Sequence, residues 1–297
     1  MAEQSNLRGI GAMLLATGAF VANDSCMKLA LSDAPPLQVL IMRGIAACLW
    51  CLPILLILGH GRDLPKVFNR WVALRSLCEV FAILSFILAL NEMPIADITA
   101  IAQIAPLLVL LGIWLFFGDR IGMLRLALIG VGITGALLVA QPGSEAASPM
   151  AILGFFTALG AAGRDIVTRK VPPGTPALIV TFSTLLIVML CAAVGSFAFE
   201  TQVAPTFRHA WLMAIAGFFL MCGHLFVFLA FRIGEARVVA PFNYSFMIWA
   251  GLSGLLIFNE VPNALAIACM PLIMLAGLAV IALENRTRQR GPSSAPL

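Results

Sequence analysis

Charged side chains are scarce in this sequence, and their scarcity excludes most soluble folds. Only 11% of the 297 residues are Asp, Glu, Lys or Arg, whereas a soluble domain carries about 25%. Hydrophobic residues make up 61% of the chain. They occur as continuous apolar runs long enough to cross a bilayer, which takes about 20 residues per helix. The composition therefore predicts an all-α polytopic membrane protein.

The sequence also lacks the groups on which metal-dependent and nucleophilic enzymes depend. It has three histidines and one tyrosine. The segment "CLWC" (48–51) has C-x-x-C spacing but no second ligand pair, and there is no phosphate loop or nucleophile elbow. The segment "GVGITG" (130–135) matches a dinucleotide-binding pattern, but it lies within an apolar run with no strand before it, so close helix packing explains it better. All seven cysteines fall inside apolar runs. We therefore predict no enzyme activity, no disulfide, no metal and no cofactor.

Hydropathy windows divide the chain into ten candidate membrane-spanning helices. The first lacks a convincing small-residue cleavage site, so we expect it to be a retained helix rather than a signal peptide. The ten windows are 8–31, 37–59, 72–91, 95–117, 123–141, 150–171, 176–198, 210–231, 236–258 and 263–283.

The distribution of lysine and arginine predicts the orientation, because cytoplasmic loops carry an excess of these residues. With the N-terminus in the cytoplasm, one outer loop holds an arginine, Arg208, and three basic residues lie within spans. We therefore expect both termini in the cytoplasm, with the spans surrounded by lipid in a bacterial inner membrane. The net charge of +4 reflects this bias, so nucleic-acid binding is not expected. The remaining basic residues fall on the cytoplasmic side: Arg8, Arg62, Lys66, Arg70, Arg75, Arg120, Arg125, Arg169, Lys170, Arg232, Arg237, Arg286, Arg288 and Arg290.

An internal repeat divides the chain into two halves of five spans. A shift of 141 residues places "NDSCMK" on "RDIVTR". Five is odd, so the second half enters the membrane from the other side, as in the inverted-topology repeats of secondary transporters. The predicted units are repeat 1 (8–141), repeat 2 (150–283) and a cytoplasmic tail (284–297). The matched polar pairs are Asp24 with Asp165, Lys28 with Arg169, Asp119 with Glu260 and, at a shift of 140, Gln103 with Asn243.

Three charged residues lie close in depth within the first two spans. Asp24 and Lys28 are four residues apart and share a helix face, so they can pair. Arg43 lies at about the same depth on the second span, counted at about 1.5 Å per residue. A lone charge at the bilayer centre costs at least about 2.5–3.5 kcal/mol. The sequence leaves two interpretations open, a structural ion cluster and a contact for substrate or protons.

Further acids and polar residues fall inside other spans. Arg75 and Glu79 form a second pair at a spacing of four residues, and Glu79 and Asp165 are candidate proton carriers. Gln103 and Asn243 lie near mid-depth in the fourth and ninth spans, and Tyr244 adds a ring and a hydroxyl beside them. These residues either line a solute site or hydrogen-bond across a packing seam.

The ends of the two halves resemble one known family. "LALNEMPIADITAIAQIAPLLVLLGIWLFFGDRIG" (88–122) and "AFRIGEARVVAPFNYSFMIWAGLSGLLIFNEVP" (230–262) are similar to EamA-type domains of the drug/metabolite transporter superfamily. Gly118–Asp119 and Asn259–Glu260 stand where that family has a terminal Gly-Glu. The resemblance implies ten helices in an inverted repeat, a central cavity and alternating access without ATP.

The resemblance does not fix the substrate, because members move solutes of several kinds in both directions. We expect a secondary transporter of a small polar organic metabolite, with riboflavin-like vitamin or nucleoside-like uptake as the first candidate. Amino-acid or drug efflux is the alternative within the same class, and a non-transporting membrane scaffold is the alternative from another class. A homodimer is compatible with the sequence.

Overall fold

The computed structural model describes residues 2–117, 122–141, 148–262 and 264–290. Regular structure in these residues is helical and comprises twelve α-helices with two 3₁₀ segments, His60–Phe68 and Ala240–Tyr244. The α-helices are α1 (Ala2–Ala30), α2 (Pro36–Ile57), α3 (Arg70–Glu92), α4 (Ile95–Ala102), α5 (Ala105–Phe117), α6 (Met123–Ala140), α7 (Ala151–Thr168), α8 (Ala177–Phe199), α9 (Phe207–Ile233), α10 (Ala236–Val239), α11 (Ser245–Phe258) and α12 (Ala264–Arg290).

Ten helical stretches of the described chain are long and apolar enough to cross a membrane, which confirms the predicted fold class. The fourth span consists of α4 and α5, and the ninth of α10, the second 3₁₀ segment and α11. The terminal helices are longer than their apolar windows: α1 begins at Ala2, and α12 continues to Arg290. The flanking Glu, Gln and Arg residues have good helix propensity. Residues 284–290, the first part of the predicted tail, therefore continue α12 beyond the tenth span, and 291–297 lie outside the described residues.

The fourth and ninth spans are interrupted at positions that the repeat relates. The fourth span breaks between Ala102 and Ala105, and the ninth forms a 3₁₀ segment at Ala240–Tyr244. Each break contains or precedes a proline, Pro106 or Pro241, which has no N–H to donate to the preceding turn. Interrupted helices at membrane depth leave backbone polar groups that must face protein or a cavity.

The spans connect two faces of the helix bundle. We call the face that holds residues 58–69 and 169–176 the N-terminal face, because the first span starts there. The other, termed the opposite face, carries residues 31–35, 200–206 and 259–262.

The packing of the two halves repeats when the halves are exchanged. The first span, α1, packs most extensively against the eighth, α9, and the third span, α3, packs against the sixth, α7. The counterpart of α1 in the other half is α7, and the counterpart of α9 is α3. The repeat therefore converts the first of these pairs into the second. The pairs α2 with α8 and α6 with α12 each join a span to its own counterpart. This arrangement is consistent with an inverted repeat.

Small residues bring the helices into close contact, as is typical of membrane interiors. A Cβ atom added to Gly160 of α7 would lie 2.8 Å from the backbone nitrogen of Ala82 in α3. Gly132 and Gly135, from "GVGITG", similarly leave no room for a side chain, and Gly132 packs against Leu107. The segment is therefore a helix-packing motif and not a nucleotide-binding turn.

Large apolar side chains cover the outer surface of the bundle. Leu49, Val194 and Leu256 are 69%, 73% and 75% exposed. An apolar surface of this extent is expected to contact lipid rather than water. Together with the ten spans it makes the chain a multi-pass membrane protein.

Candidate functional site

A cavity of about 320 Å³ lies between the two halves. Its wall is built by the first four spans and by their counterparts, the sixth to the ninth. Aromatic rings of Phe20, Phe86 and Phe246 share this wall with many polar groups. Such a mixture suits a small organic molecule that has both polar and apolar parts. The polar and charged lining residues are Asn23, Asp24, Arg43, Arg75, Glu79, Thr99, Gln103, Thr157, Arg164, Asp165, Thr181, Thr184, His224 and Asn243.

The two ends of the cavity differ in exposure. Asp165, near the end of α7 at the N-terminal face, has a side chain that is 46% exposed. Asp24 and Thr99, nearer the opposite face, are only 7% and 2% exposed. The cavity is therefore reached from the N-terminal face and closed toward the opposite face.

Asp24 and Arg43, which were predicted to lie close together, both line this cavity. They interact electrostatically, but within the described part of the chain no ion pair shorter than 4.0 Å joins them. The carboxylate of Asp24 accepts a hydrogen bond from Asn23 Nδ2 at 2.8 Å. The Nε atom of Arg43 has no hydrogen-bond partner among the described residues. The guanidinium and the carboxylate are thus adjacent without neutralising each other directly.

The predicted pairing of Lys28 with Asp24 is wrong, and Lys28 is not among the lining residues. Its Nζ atom lies 2.6 Å from Glu260 Oε1 and donates to the carbonyl oxygen of Met93, also at 2.6 Å. Glu260 Oε2 accepts a hydrogen bond from the backbone nitrogen of Ile95 at 3.2 Å. Lys28 lies one turn closer to the opposite face than Asp24, and a long basic side chain extends toward the nearer surface. We call Lys28, Met93, Ile95 and Glu260 the opposite-face cluster.

Other charged contacts on the opposite face also join the two halves. The carboxylate of Asp33 lies 2.8 Å from Arg208 Nη1 and 3.0 Å from His209 Nε2. The contact with His209, with Arg208 nearby, holds the pKa of the Asp33 carboxyl below its ordinary value. Glu200 accepts a hydrogen bond from the backbone nitrogen of Leu37 at 2.8 Å, in the first turn of α2. A carboxylate is favourable at this end of a helix because of the helix dipole.

The predicted pair of Arg75 with Glu79 is also wrong. Glu79 Oε2 lies 2.8 Å from Arg164 Nη1, and Arg164 Nε donates to Asp165 Oδ1 at 2.8 Å. Arg75 instead donates from Nη1 to Thr184 Oγ1 at 2.7 Å. Because α3 packs closely on α7, the partner across that interface is nearer to Glu79 than the neighbour on its own helix. An ion-pair chain of Glu79, Arg164 and Asp165 therefore joins the halves.

These local contacts are consistent with the predicted repeat. Asn23 donates to the carboxylate of Asp24, and Arg164, which the shift of 141 residues places on Asn23, donates to that of Asp165. Arg164 was not assigned to the site from the sequence, because its counterpart Asn23 was not a candidate either; both residues line the cavity. The repeat aligns Asp119 with Glu260 of the opposite-face cluster. Asp119 itself lies outside the described residues.

Gln103 and Asn243 meet where the two interrupted spans cross. Both line the cavity, and Gln103 Nε2 donates to the backbone carbonyl oxygen of Asn243 at 3.4 Å. The structure thus brings together the two mid-depth polar residues of the repeat, one from each half. Each accompanies a helix break, so side-chain and backbone polar groups are available at the same place.

Tyr244, predicted to lie in the same site, points elsewhere. Its side chain is 2% exposed and packs against Gly277 of α12. Successive residues of a helical turn point about 100–120° apart. When Asn243 faces the cavity, Tyr244 therefore faces the last span.

His224 also lines the cavity, with its ring edge against Phe20 at a centroid distance of 5.3 Å. Sequence reasoning did not assign this residue to the site. It also missed the threonines of the wall, Thr99, Thr157, Thr181 and Thr184, because threonine is unremarkable within a span.

The fold and the cavity define a class, that of polytopic membrane proteins that carry small molecules. Eight of the ten spans surround a charged cavity that opens at one face, and two of them are interrupted beside it. Among the described residues, no three His, Cys, Asp or Glu side chains are grouped so that they could hold a metal ion.

Comparisons with known proteins place the chain within this class. Residues 7–141 match the EamA-like transporter family. The pseudopaline exporter of Pseudomonas aeruginosa is 27% identical over 273 residues, which cover 92% of this chain and 95% of the exporter. A riboflavin transporter of Rhizobium johnstonii is 28% identical over 83% of this chain and 81% of its own length. An S-adenosylmethionine uptake transporter of Rickettsia bellii is 24% identical over 95% of this chain and 96% of its own length.

A solved crystal structure has the same fold, with a TM-score of 0.60 over 96% of this chain and 100% of its own, at 18% identity. The matches confirm the predicted resemblance to EamA-type transporters of the drug/metabolite transporter superfamily. The named relatives are transporters and not enzymes. Transport of a small molecule is accordingly the general function of this chain.

Proposed function

We propose that the protein is a secondary transporter that moves a small polar organic metabolite across the bacterial inner membrane by alternating access. The observation that carries the proposal is the charged cavity between the halves, exposed toward the N-terminal face and closed toward the opposite face. Residues 8–141 and 150–283 are the two repeats that rock against each other around it. Secondary transporters bind solute near the midplane between such repeats.

Opening to the opposite face requires the opposite-face cluster to separate, because it ties α1 to the chain segments that follow α3 and α11. The ion-pair chain of Glu79, Arg164 and Asp165 lies nearer the N-terminal face. The change between the state open at the N-terminal face and the state open at the opposite face therefore moves contacts that join the halves. Glu79 and Asp165 are the acids that we assign to proton coupling, since carboxylates within spans often relay protons.

The proposed orientation places the N-terminal face and both termini in the cytoplasm. Lys66 lies on the N-terminal face and Thr201 on the opposite face. Each is replaced by a single cysteine in a cysteine-free background. An impermeant thiol reagent added to intact cells is expected to label Thr201→Cys but not Lys66→Cys. Labelling of both from outside would contradict the ten-span orientation.

Riboflavin-like or nucleoside-like uptake is our first candidate for the substrate. Phe20 and Phe246 lie with ring centroids 6.3 Å apart in the cavity wall and offer surfaces for a flat ring system. A riboflavin transporter is among the relatives. The second candidate is export of amino acids or drugs, which is favoured by the charged pair of Asp24 and Arg43. A non-transporting scaffold would have no use for a charged cavity between its halves.

A flux screen in liposomes tests the proposal. Purified protein is reconstituted, and radiolabelled riboflavin, adenosine, amino acids and cationic drugs are offered with and without a proton gradient. Ala161 lines the cavity, so Ala161→Trp is expected to abolish flux by filling it. Leu159, on the same helix and 55% exposed, gives the matched control Leu159→Trp, which should transport normally. Absence of flux for every solute would contradict the proposal.

A further inference from the structure

Arg43 and Asp24 are charged groups of the cavity that form no ion pair within 4.0 Å with any residue that the structure describes. Arg43 is 5% exposed and Asp24 is 7% exposed, and the Nε atom of Arg43 has no partner in the described residues. A buried guanidinium is costly unless its donors are satisfied and its charge is compensated. These two groups therefore form a site in which a ligand can supply the charged contacts that the protein lacks.

The other ionic groups of the cavity are already engaged within the protein. Arg164 contacts both Glu79 and Asp165 at 2.8 Å. Arg75 donates through Nη1 to the neutral hydroxyl of Thr184 at 2.7 Å, although its Nε atom, like that of Arg43, has no partner in the described residues. A ligand that competes for these groups must break an existing contact, whereas a ligand at Arg43 and Asp24 adds contacts.

We propose that Arg43 and Asp24 bind the α-amino-carboxylate end of the transported solute. The inference rests on the proposed function and selects its second substrate candidate, in the form of amino acids, over the first, because riboflavin and nucleosides lack this zwitterionic group. A guanidinium binds a carboxylate through two parallel hydrogen bonds, and the carboxylate of Asp24 accepts from the ammonium group. A neutral ring system supplies no charge to pair with Arg43 or Asp24, so it gains less binding free energy at this end of the cavity.

Neighbouring acceptors complete the ammonium side of the site. Asn23 donates through Nδ2 to Asp24, and its Oδ1 atom is buried without a partner among the described residues. Gln103, on the facing wall, donates through Nε2 to Asn243, which leaves its Oε1 atom free to accept. An ammonium group has three N–H donors, and these oxygens together with Asp24 supply acceptors for them. The ring of Phe20 borders the cavity, where the remainder of the solute can pack.

The test uses pairs of solutes that differ in the amino-carboxylate group alone. Liposomes containing the full chain are offered each labelled α-amino acid, S-adenosylhomocysteine, methylthioadenosine, adenosine and riboflavin. For any amino acid that is carried, its amide and its desamino acid are added as competitors. We expect flux of at least one amino-carboxylate, with about 10- to 100-fold weaker competition by either derivative, as for loss of a hydrogen bond to a charged group.

Variants then separate recognition from folding. Arg43→Gln is expected to weaken binding of the amino-carboxylate about 10- to 100-fold while the amide, which lacks the carboxylate, changes little. Asp24→Asn should show the reverse preference, with the desamino acid unaffected. Arg70→Gln, which removes an exposed arginine at the N-terminal face, is the charge-matched control, and monodisperse elution in detergent verifies folding.

The outcomes distinguish this inference from the function on which it rests. Flux of riboflavin, adenosine or methylthioadenosine without flux of any amino-carboxylate overturns the inference and leaves the transporter proposal standing. Flux of none of the solutes overturns both. Equal weakening of the amino acid, the amide and the desamino acid in both variants would mean that the two residues only support the fold, and this also overturns the inference.

Discussion

The opposite-face cluster makes a quantitative prediction about which state of the transporter is populated. Lys28 and Glu260 have side chains that are 12% and 26% exposed, so their ion pair is neither fully buried nor on the surface. Lys28→Met removes the amine while keeping most of the apolar stem. Glu260 then retains only the backbone nitrogen of Ile95, at 3.2 Å.

The size of the effect follows from that intermediate burial. Exposed ion pairs contribute about 0–1 kcal/mol, and breaking a fully buried pair costs about 3–5 kcal/mol. We therefore expect Lys28→Met to destabilise the closed opposite face by about 1–3 kcal/mol, which corresponds to a shift of about 5- to 150-fold between the two openings.

Thiol labelling measures this shift. Thr99 lines the cavity and is 2% exposed, so Thr99→Cys in a cysteine-free background reports opening at the opposite face. In vesicles with that face outward, Lys28→Met should raise the rate of modification by an impermeant maleimide. Lys66→Met, which breaks an exposed pair with Asp63 at 2.6 Å, is the control. Equal rates in the two variants would refute the assignment of the cluster as the closing contact.

Three further predictions concern the cavity and the opposite face. Glu79→Gln and Asp165→Asn should flatten the pH dependence of flux, and an unchanged profile in both would remove these acids from proton coupling. Gln103→Ala and Asn243→Ala should each weaken solute binding by about 0.5–1.5 kcal/mol at normal protein levels; unchanged binding would restrict the pair to helix packing. The pKa of Asp33 is lowered from 3.8 by its contact with His209, so its contribution to stability is present above that value and disappears as the pH falls through the lowered pKa. Asp33→Asn should therefore lower the melting temperature at neutral pH but not in strong acid, and an equal difference at both pH values would contradict this sign.

The sequence alone predicted the ten spans. Ten apolar windows became ten helical spans, and this prediction succeeded because it depends on periodicity and length, which the chain itself contains. Helix rise along two adjacent spans also gave a similar depth for Asp24 and Arg43. The interruptions beside Gln103 and Asn243 were not predicted, because the apolar windows run across them without a break.

Ionic partners could not be predicted in the same way. The spacing of four residues relates side chains on one helix, but Lys28 and Glu79 pair with Glu260 and Arg164 across helix interfaces. Which interface lies closest is decided by the packing of small residues such as Gly160 against Ala82. The prediction that Tyr244 lies in the site beside Asn243 was wrong for a related reason. Neighbouring residues in a helical turn point in different directions.

Counterflow in liposomes tests the central claim most directly, since it requires a carrier whose solute site alternates between the two faces. Vesicles are loaded with an unlabelled solute identified by the flux screen and diluted into the labelled solute without ATP or an ion gradient. We predict transient accumulation of label with the wild-type protein and with Leu159→Trp, and none with Ala161→Trp. Accumulation no greater than in protein-free liposomes, or accumulation that Ala161→Trp leaves intact, would contradict transport through this cavity.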